Sequence, residues 1–266
     1  MRPWTVARLV TLVVVTAAVV LSARAGSTST SAGGGEGTQE LVVFAAASLS
    51  DAFEDVGSAF QQEHPDTRVR FNFAGSQQLA GQIRTGAPAD VFASADMRQL
   101  QAAGTVVAGE PTLFAGNELA IAVERGNPLG VRGLADLGRA DLTLVLAAAE
   151  VPAGRYARQA LERAGVEVKA ASLENDVRAA LYKVRLGEAD AAIVYASDVL
   201  AAGDTVTALH IAPAHNVTAA YPMAVLRGAP NPDAAHAFVS FIKSAQAQAV
   251  LRQYGFSPPA GGLGRG

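Results

Sequence analysis

The side chains that could do chemistry in this sequence are small hydroxyls and amides, set where an apolar run gives way to a helical pattern. In FAAASLSDAF, residues 44–53, Ser48 and Ser50 straddle Leu49 just after a buried-strand pattern ends. AGS (74–76) stands before a second helical pattern, EVPAG (150–154) before a third and ENDV (174–177) before a fourth. Pro152 is preset for a first helical turn, and Asn175 or Asp176 suits an N-cap. Singly, each is an ordinary helix start, and Ser48 or Ser50 could simply cap the first helix. Helix starts also present unpaired amides and a partial positive charge, both suited to anions. Periodicity alone leaves open whether the four starts meet.

Signals for catalysis are thin. The chain has no G-x-S-x-G elbow, no P-loop, no H-E-x-x-H and, lacking cysteine, no C-x-x-C. The four histidines, His64, His210, His215 and His236, show no metal-ligand spacing. No carboxylate pair stands out as an acid–base couple. No enzyme is expected.

The ends have their own character. Arg2 and Arg8 precede an apolar or hydroxyl run from Leu9 to Leu21, and ARA (23–25) places small residues where a signal peptidase cuts. Residues 1–25 read as a signal peptide, since the run is shorter than the roughly 20 residues of a membrane span. The chain is then expected outside the cytoplasmic membrane, in the periplasm or associated with the cell envelope. Without cysteine there is neither a disulfide nor a thioether lipid anchor. Residues 26–39, rich in Gly, Ser and Thr, read as a flexible linker, and residues 258–266 as a disordered tail. Removing the first 25 residues leaves 18 basic against 24 acidic side chains, with no basic cluster. Nucleic acid is therefore not an expected partner.

Between the ends, strand and helix patterns alternate. Strands are predicted at 41–44, 68–73, within ADVFASAD (89–96), and at 119–123, 142–146, 191–195 and 221–226. Helices are predicted at 51–63, 77–84, 97–104, 134–138, 153–164 and 177–186, with one long helical stretch at 232–254. This order predicts an α/β fold of mostly parallel sheets flanked by helices, in two lobes. Residues 40–117 and 220–257 make lobe 1 and residues 118–219 lobe 2, with crossings near 116–117 and 219–220. Ligands of such sheets sit beyond the carboxyl ends of the strands, here the cleft between lobes.

Seven segments, FAAASLSDAF, GAPADVFASAD, VPAGRYARQAL, ENDVRAAL, AAIVYASDV, YPMAV and YGF, carry a resemblance in this order. They resemble the periplasmic molybdate-binding proteins of ABC importers, from about Leu41 to Phe256. The resemblance implies a type II periplasmic-binding-protein fold, with a tetrahedral oxyanion held between the lobes by hydroxyls, amides and a tyrosine. By motif, those positions are Ser48, Ser76, Ala153, Val177 and Tyr195, and molybdenum would enter only as molybdate held by these residues. It further implies no cofactor, an ABC permease as membrane partner, a small inorganic oxyanion as ligand and a monomeric chain. Three features depart from the family. Gly75 stands where a hydroxyl residue is common, LAAAE (146–150) replaces a more polar run before VPAG, and no lipobox cysteine is present.

The expectation is thus an extracytoplasmic protein that captures molybdate, and tungstate with it, for an ABC permease. One alternative is a binding protein of the same fold for another anion, such as sulfate or a carboxylate, the latter calling for an arginine in the site. A secreted serine hydrolase using Ser48 or Ser76 is the other, and needs a histidine and an acid beside the serine.

Overall fold

Strand β1 (Gln39–Ala46) is buried from Leu41 onward on both faces, as its unbroken apolar run requires. The computed structural model describes residues 38–104 and 107–259. The signal segment, most of the linker and residues 260–266 lie outside the described residues. Gln39, the last residue assigned to the linker, already belongs to β1 and pairs with Thr67.

The first elements follow in pairs: α1 (Ser50–Glu63), β2 (Thr67–Ala74), α2 (Ser76–Arg84), β3 (Val91–Ala93) and α3 (Met97–Ala102). β4 (Val107–Glu124) is long. Then come β5 (Leu144–Ala147), α4 (Pro152–Ala164), β6 (Ser172–Glu174), α5 (Val177–Arg185), β7 (Ala191–Tyr195), α6 (Ala196–Ala202) and β8 (Val206–His210). β9 (Thr218–Leu226), α7 (Pro232–Phe241) and α8 (Ala245–Gln253) complete the order.

The strands run β2-β1-β3-β9-β4-β7-β5-β6, with β8 also on β4. β1 lies parallel to β2 and β3, and β5 parallel to β6 and β7, while β4 and β9 run against their neighbours. The first part of β4 pairs with β9, and its last residues, from Leu119, pair with β7 and β8. β4 therefore leaves one lobe and enters the other without a break, and β9 returns beside it. The two crossing points face each other, Gly116 opposite Ala220 and Asn117 opposite Ala219.

Each lobe is covered by helices whose apolar stripe meets the sheet. On α1 that stripe is Ala52, Phe53, Val56, Ala59 and Phe60. Phe53 and Phe60 meet Phe238 of α7 at centroid distances of 6.2 and 5.2 Å, both edge-on. These rings bring the C-terminal helices onto lobe 1.

Some sequence expectations change. The stretch 232–254 is two helices, because Ser244 accepts the amide of Ala247 and starts α8 anew. ADVFASAD holds a strand of three residues, with Asp90 and Asp96 drawn into hydrogen bonds on either side. β6 and β8 were not predicted.

Candidate functional site

β1 ends at Ala46 and turns through one 3-10 turn, Ala47–Leu49, before α1 begins at Ser50. Neither serine of the opening stretch caps α1. Its N-cap is Leu49, with no side-chain bond, and Ser50 lies inside the first turn. Ser48 is buried and hydrogen-bonded hydroxyl to hydroxyl with Tyr221 of β9, at 2.9 Å. Asn117 Nδ2 donates to the Tyr221 oxygen at 3.5 Å and to Ser197 Oγ at 2.7 Å. The Ser48–Tyr221 bond can run in either direction; when the phenol donates, the Ser48 proton is free to turn into the cleft.

Ser76 is the first residue of α2, also buried, and its oxygen accepts the amide of Ala95 at 3.1 Å. That bond too leaves the hydroxyl proton available. From the other lobe come two helix starts. Ala153 follows Pro152 at the start of α4, and Val177 is the first residue of α5. A helix supplies no acceptor for its first amides. α4 sits hard against the end of β5: a Cβ on Gly154 would lie 2.0 Å from the carbonyl oxygen of Ala148. Only glycine lets the helix start come so close, and this fixes the amide of Ala153. Asp176, the N-cap of α5, spends a carboxylate oxygen on the amide of Ala179 at 2.9 Å.

Tyr195 ends β7. Its ring is buried, and its hydroxyl has no hydrogen-bond partner among the described residues. Burial pushes this phenol well above its ordinary pKa, and does the same to Tyr221, whose ring lies 5.9 Å away. Both therefore keep their protons at neutral pH. A buried hydroxyl left without a partner is costly.

All five sequence-predicted positions, Ser48, Ser76, Ala153, Val177 and Tyr195, line one small, tight cavity. Its other walls are Ala46, Ala47, Gly75, Ala95, Val151, Pro152 and Asp176. None of these residues is cationic and none is histidine. A serine nucleophile needs a base within hydrogen-bond reach. Ser48 instead meets a tyrosine and Ser76 a backbone amide. Nor does any arginine wait there for a carboxylate. What the cavity collects is donors.

The sequence matches the family described as bacterial extracellular solute-binding protein over residues 41–257. The chain belongs to this family. A solute-binding protein binds and releases; it is not an enzyme. The molybdate-binding protein ModA of Mycobacterium tuberculosis is 40% identical over 226 residues, covering 84% of this chain and 87% of that one. ModA of Escherichia coli is 35% identical over 237 residues, covering 82% and 89%. Among solved structures, the Azotobacter vinelandii periplasmic molybdate-binding protein superposes with a TM-score of 0.70 at 20% identity, covering 82% and 99%. That likeness supports the two-lobed type II periplasmic-binding fold. Among the described residues of this solute-binding protein, no helix is long and apolar enough to cross a membrane.

Sequence reading missed the second layer of the site. Tyr221 was visible only as the start of a strand and Asn117 only as a crossing. Both act across the sheet, 173 and 104 residues from the groups they meet. Arg155 and Arg178, each near a cleft amide, were given no role by the sequence. Arg155 pairs with the buried Asp96 of the other lobe at 2.6 Å.

Proposed function

We propose that this solute-binding protein captures molybdate, and tungstate with it, outside the cytoplasmic membrane and passes it as a single chain to an ABC permease. Export would be directed by the first 25 residues. The curated relatives named above bind molybdate, and their similarity spans nearly the whole folded chain. The carrying observation is the donor set around the cavity. A fully ionised tetrahedral oxyanion offers only acceptors, so it needs donors on every side and no competing acceptor. Two serine hydroxyls, a buried phenol without a protein partner and two helix-start amides meet that need. The one acid on the wall, Asp176, is held in its capping bond. Each bond to a charged group contributes about 1.5–3 kcal/mol, so five offset much of the cost of drying the ion. The site works with local dipoles and no formal positive charge.

Calorimetric titration with molybdate, tungstate, sulfate and phosphate tests the reading. Tight binding of the first two, with the last two far weaker, is expected. Mass action should add about 4 kcal/mol to stability at a thousandfold excess over the dissociation constant. Equal affinity for sulfate and molybdate would overturn the assignment.

A further inference from the structure

Arg178 stands one residue after Val177, on the first turn of α5. Its Nε lies 2.7 Å from Asp198 Oδ1, and Asp198 is fully buried. The other oxygen of Asp198 accepts the amide of Tyr195 at 3.1 Å. The far end of the guanidinium donates to Asp51, which lies in the first turn of α1, three residues after Ser48. A single side chain thus reaches the segments carrying Val177, Tyr195 and Ser48, the last from the opposite lobe. Other contacts cross the cleft alongside it: Gln77 Nε2 donates to the carbonyl oxygen of Asn175 at 2.7 Å, Gln99 Nε2 to that of Glu150 at 2.9 Å, and Arg155 pairs with Asp96.

We infer that Arg178 is a positioning residue that fastens the closed cleft, its pair with Asp51 acting as the latch that sets how fast a bound oxyanion leaves. The two halves of this network differ. The Arg178–Asp198 pair is internal to lobe 2 and buried on the Asp198 side, so cutting it leaves an uncompensated charge and endangers the fold. The Arg178–Asp51 pair joins the lobes and is half-open to water, with side-chain exposures of 26% and 44%. It forms only when the lobes meet, so it weighs on closure rather than on folding. A pair this exposed is worth little in a stability measurement, yet all of its worth falls on the closed state. Salt weakens it in the same measure.

The test therefore leaves Arg178 in place and changes its partner. Asp51→Asn and Asp51→Glu are compared with the parent by release of radiolabelled molybdate into excess unlabelled ion. Because the chain has no native cysteine, Gln62→Cys and Glu167→Cys can also carry spin labels, one on each lobe, for inter-lobe distances without ion. Asp51→Asn should release molybdate about fivefold faster at low salt, with a longer mean label distance. The gap to the parent should shrink in high salt, and melting of the ion-free protein should stay near that of the parent. Asp51→Glu should restore slow release. The inference rests on the oxyanion reading only for the release arm. If the parent binds no molybdate, that reading fails, and the label distances alone decide the latch. Unchanged release together with unchanged distances in Asp51→Asn would overturn it.

Discussion

The two lobes bring different kinds of donor to the same cavity. Lobe 1 gives side-chain hydroxyls, Ser48 after a strand and Ser76 at a helix start. Lobe 2 gives backbone, the amides of Ala153 and Val177 at the starts of α4 and α5, together with the phenol of Tyr195 at the end of β7. Hydroxyls depend on residue identity, whereas amides depend on where a helix begins. The donors of lobe 1 are therefore open to single-atom mutation, whereas those of lobe 2, the Tyr195 phenol apart, answer to changes of backbone.

The largest effects should come from removing a donor outright, on either side. Ser48→Ala and Ser76→Ala should each weaken molybdate binding by about 1.5–3 kcal/mol, roughly tenfold to a hundredfold. On lobe 2 the matching change is Val177→Pro. Proline is tolerated at the first helical position, and Asp176 before it is already extended, at φ −154° and ψ 170°, as a residue preceding proline must be. The variant keeps α5 and loses one N–H. Its loss of affinity should match that of a serine variant. Titration and melting on the same proteins separate this from capping, since Ser50→Ala should leave binding intact.

Next in size is a change that props the lobes apart. Gly75 has an ordinary φ of −57°, so it is not needed for backbone freedom. Its Cβ would sit 2.5 Å from the carbonyl oxygen of Asn175, across the cleft. Gly75→Ala should weaken binding by about tenfold, near 1.4 kcal/mol, while leaving the ion-free protein as stable as the parent. An alanine variant that binds like the parent would show that the lobes close without that contact.

Much of this is legible in the sequence, and unevenly so. Alternation of strand and helix patterns foretold the core of each lobe, because burying one face imposes a period. Three-residue β6 is too short to show a period at all. β8, VTALH, shows no clean alternation, since its two faces, Val-Ala-His and Thr-Leu, each mix apolar with polar residues. The break before α8 had a signal that went unused, Ser244 three residues before the amide it caps. In the site, caps and small residues marked helix starts, but only the family resemblance gathered them into one cavity. Partners such as Tyr221 for Ser48 or Asp51 for Arg178 leave no local trace, being set by the sheet order.

A smaller effect concerns Asp198, which braces the backbone of Tyr195. Burial raises its pKa to about 6, and the attraction of Arg178 only partly opposes this. Its folded value exceeds the unfolded one, so the folded protein takes up the proton first as pH falls. Its contribution to stability is therefore fully present below the unfolded value and is lost as pH rises through about 6. Between pH 7 and pH 5 the parent should gain about 1 kcal/mol relative to Asp198→Asn. Melting both proteins across that window checks the sign. A constant difference would place the carboxyl near its ordinary value.

The smallest change in affinity should come from Val177→Ala, and that smallness tests the comparison of lobes most directly. The side chain of Val177 is buried at 3% exposure, so shortening it removes packed surface at a cost of about 1.5 kcal/mol to the fold. The amide stays where the cap holds it, because Asp176 bonds to Ala179 and not to the valine side chain. Melting should therefore fall while molybdate affinity of the folded protein changes by less than about twofold, well under 1.4 kcal/mol. Set beside Val177→Pro, which removes the N–H at the same position, the pair assigns the ion's bond to backbone or side chain. If alanine weakens binding as much as proline does, lobe 2 contributes through the shape of its side chains, and the division between hydroxyl lobe and amide lobe fails.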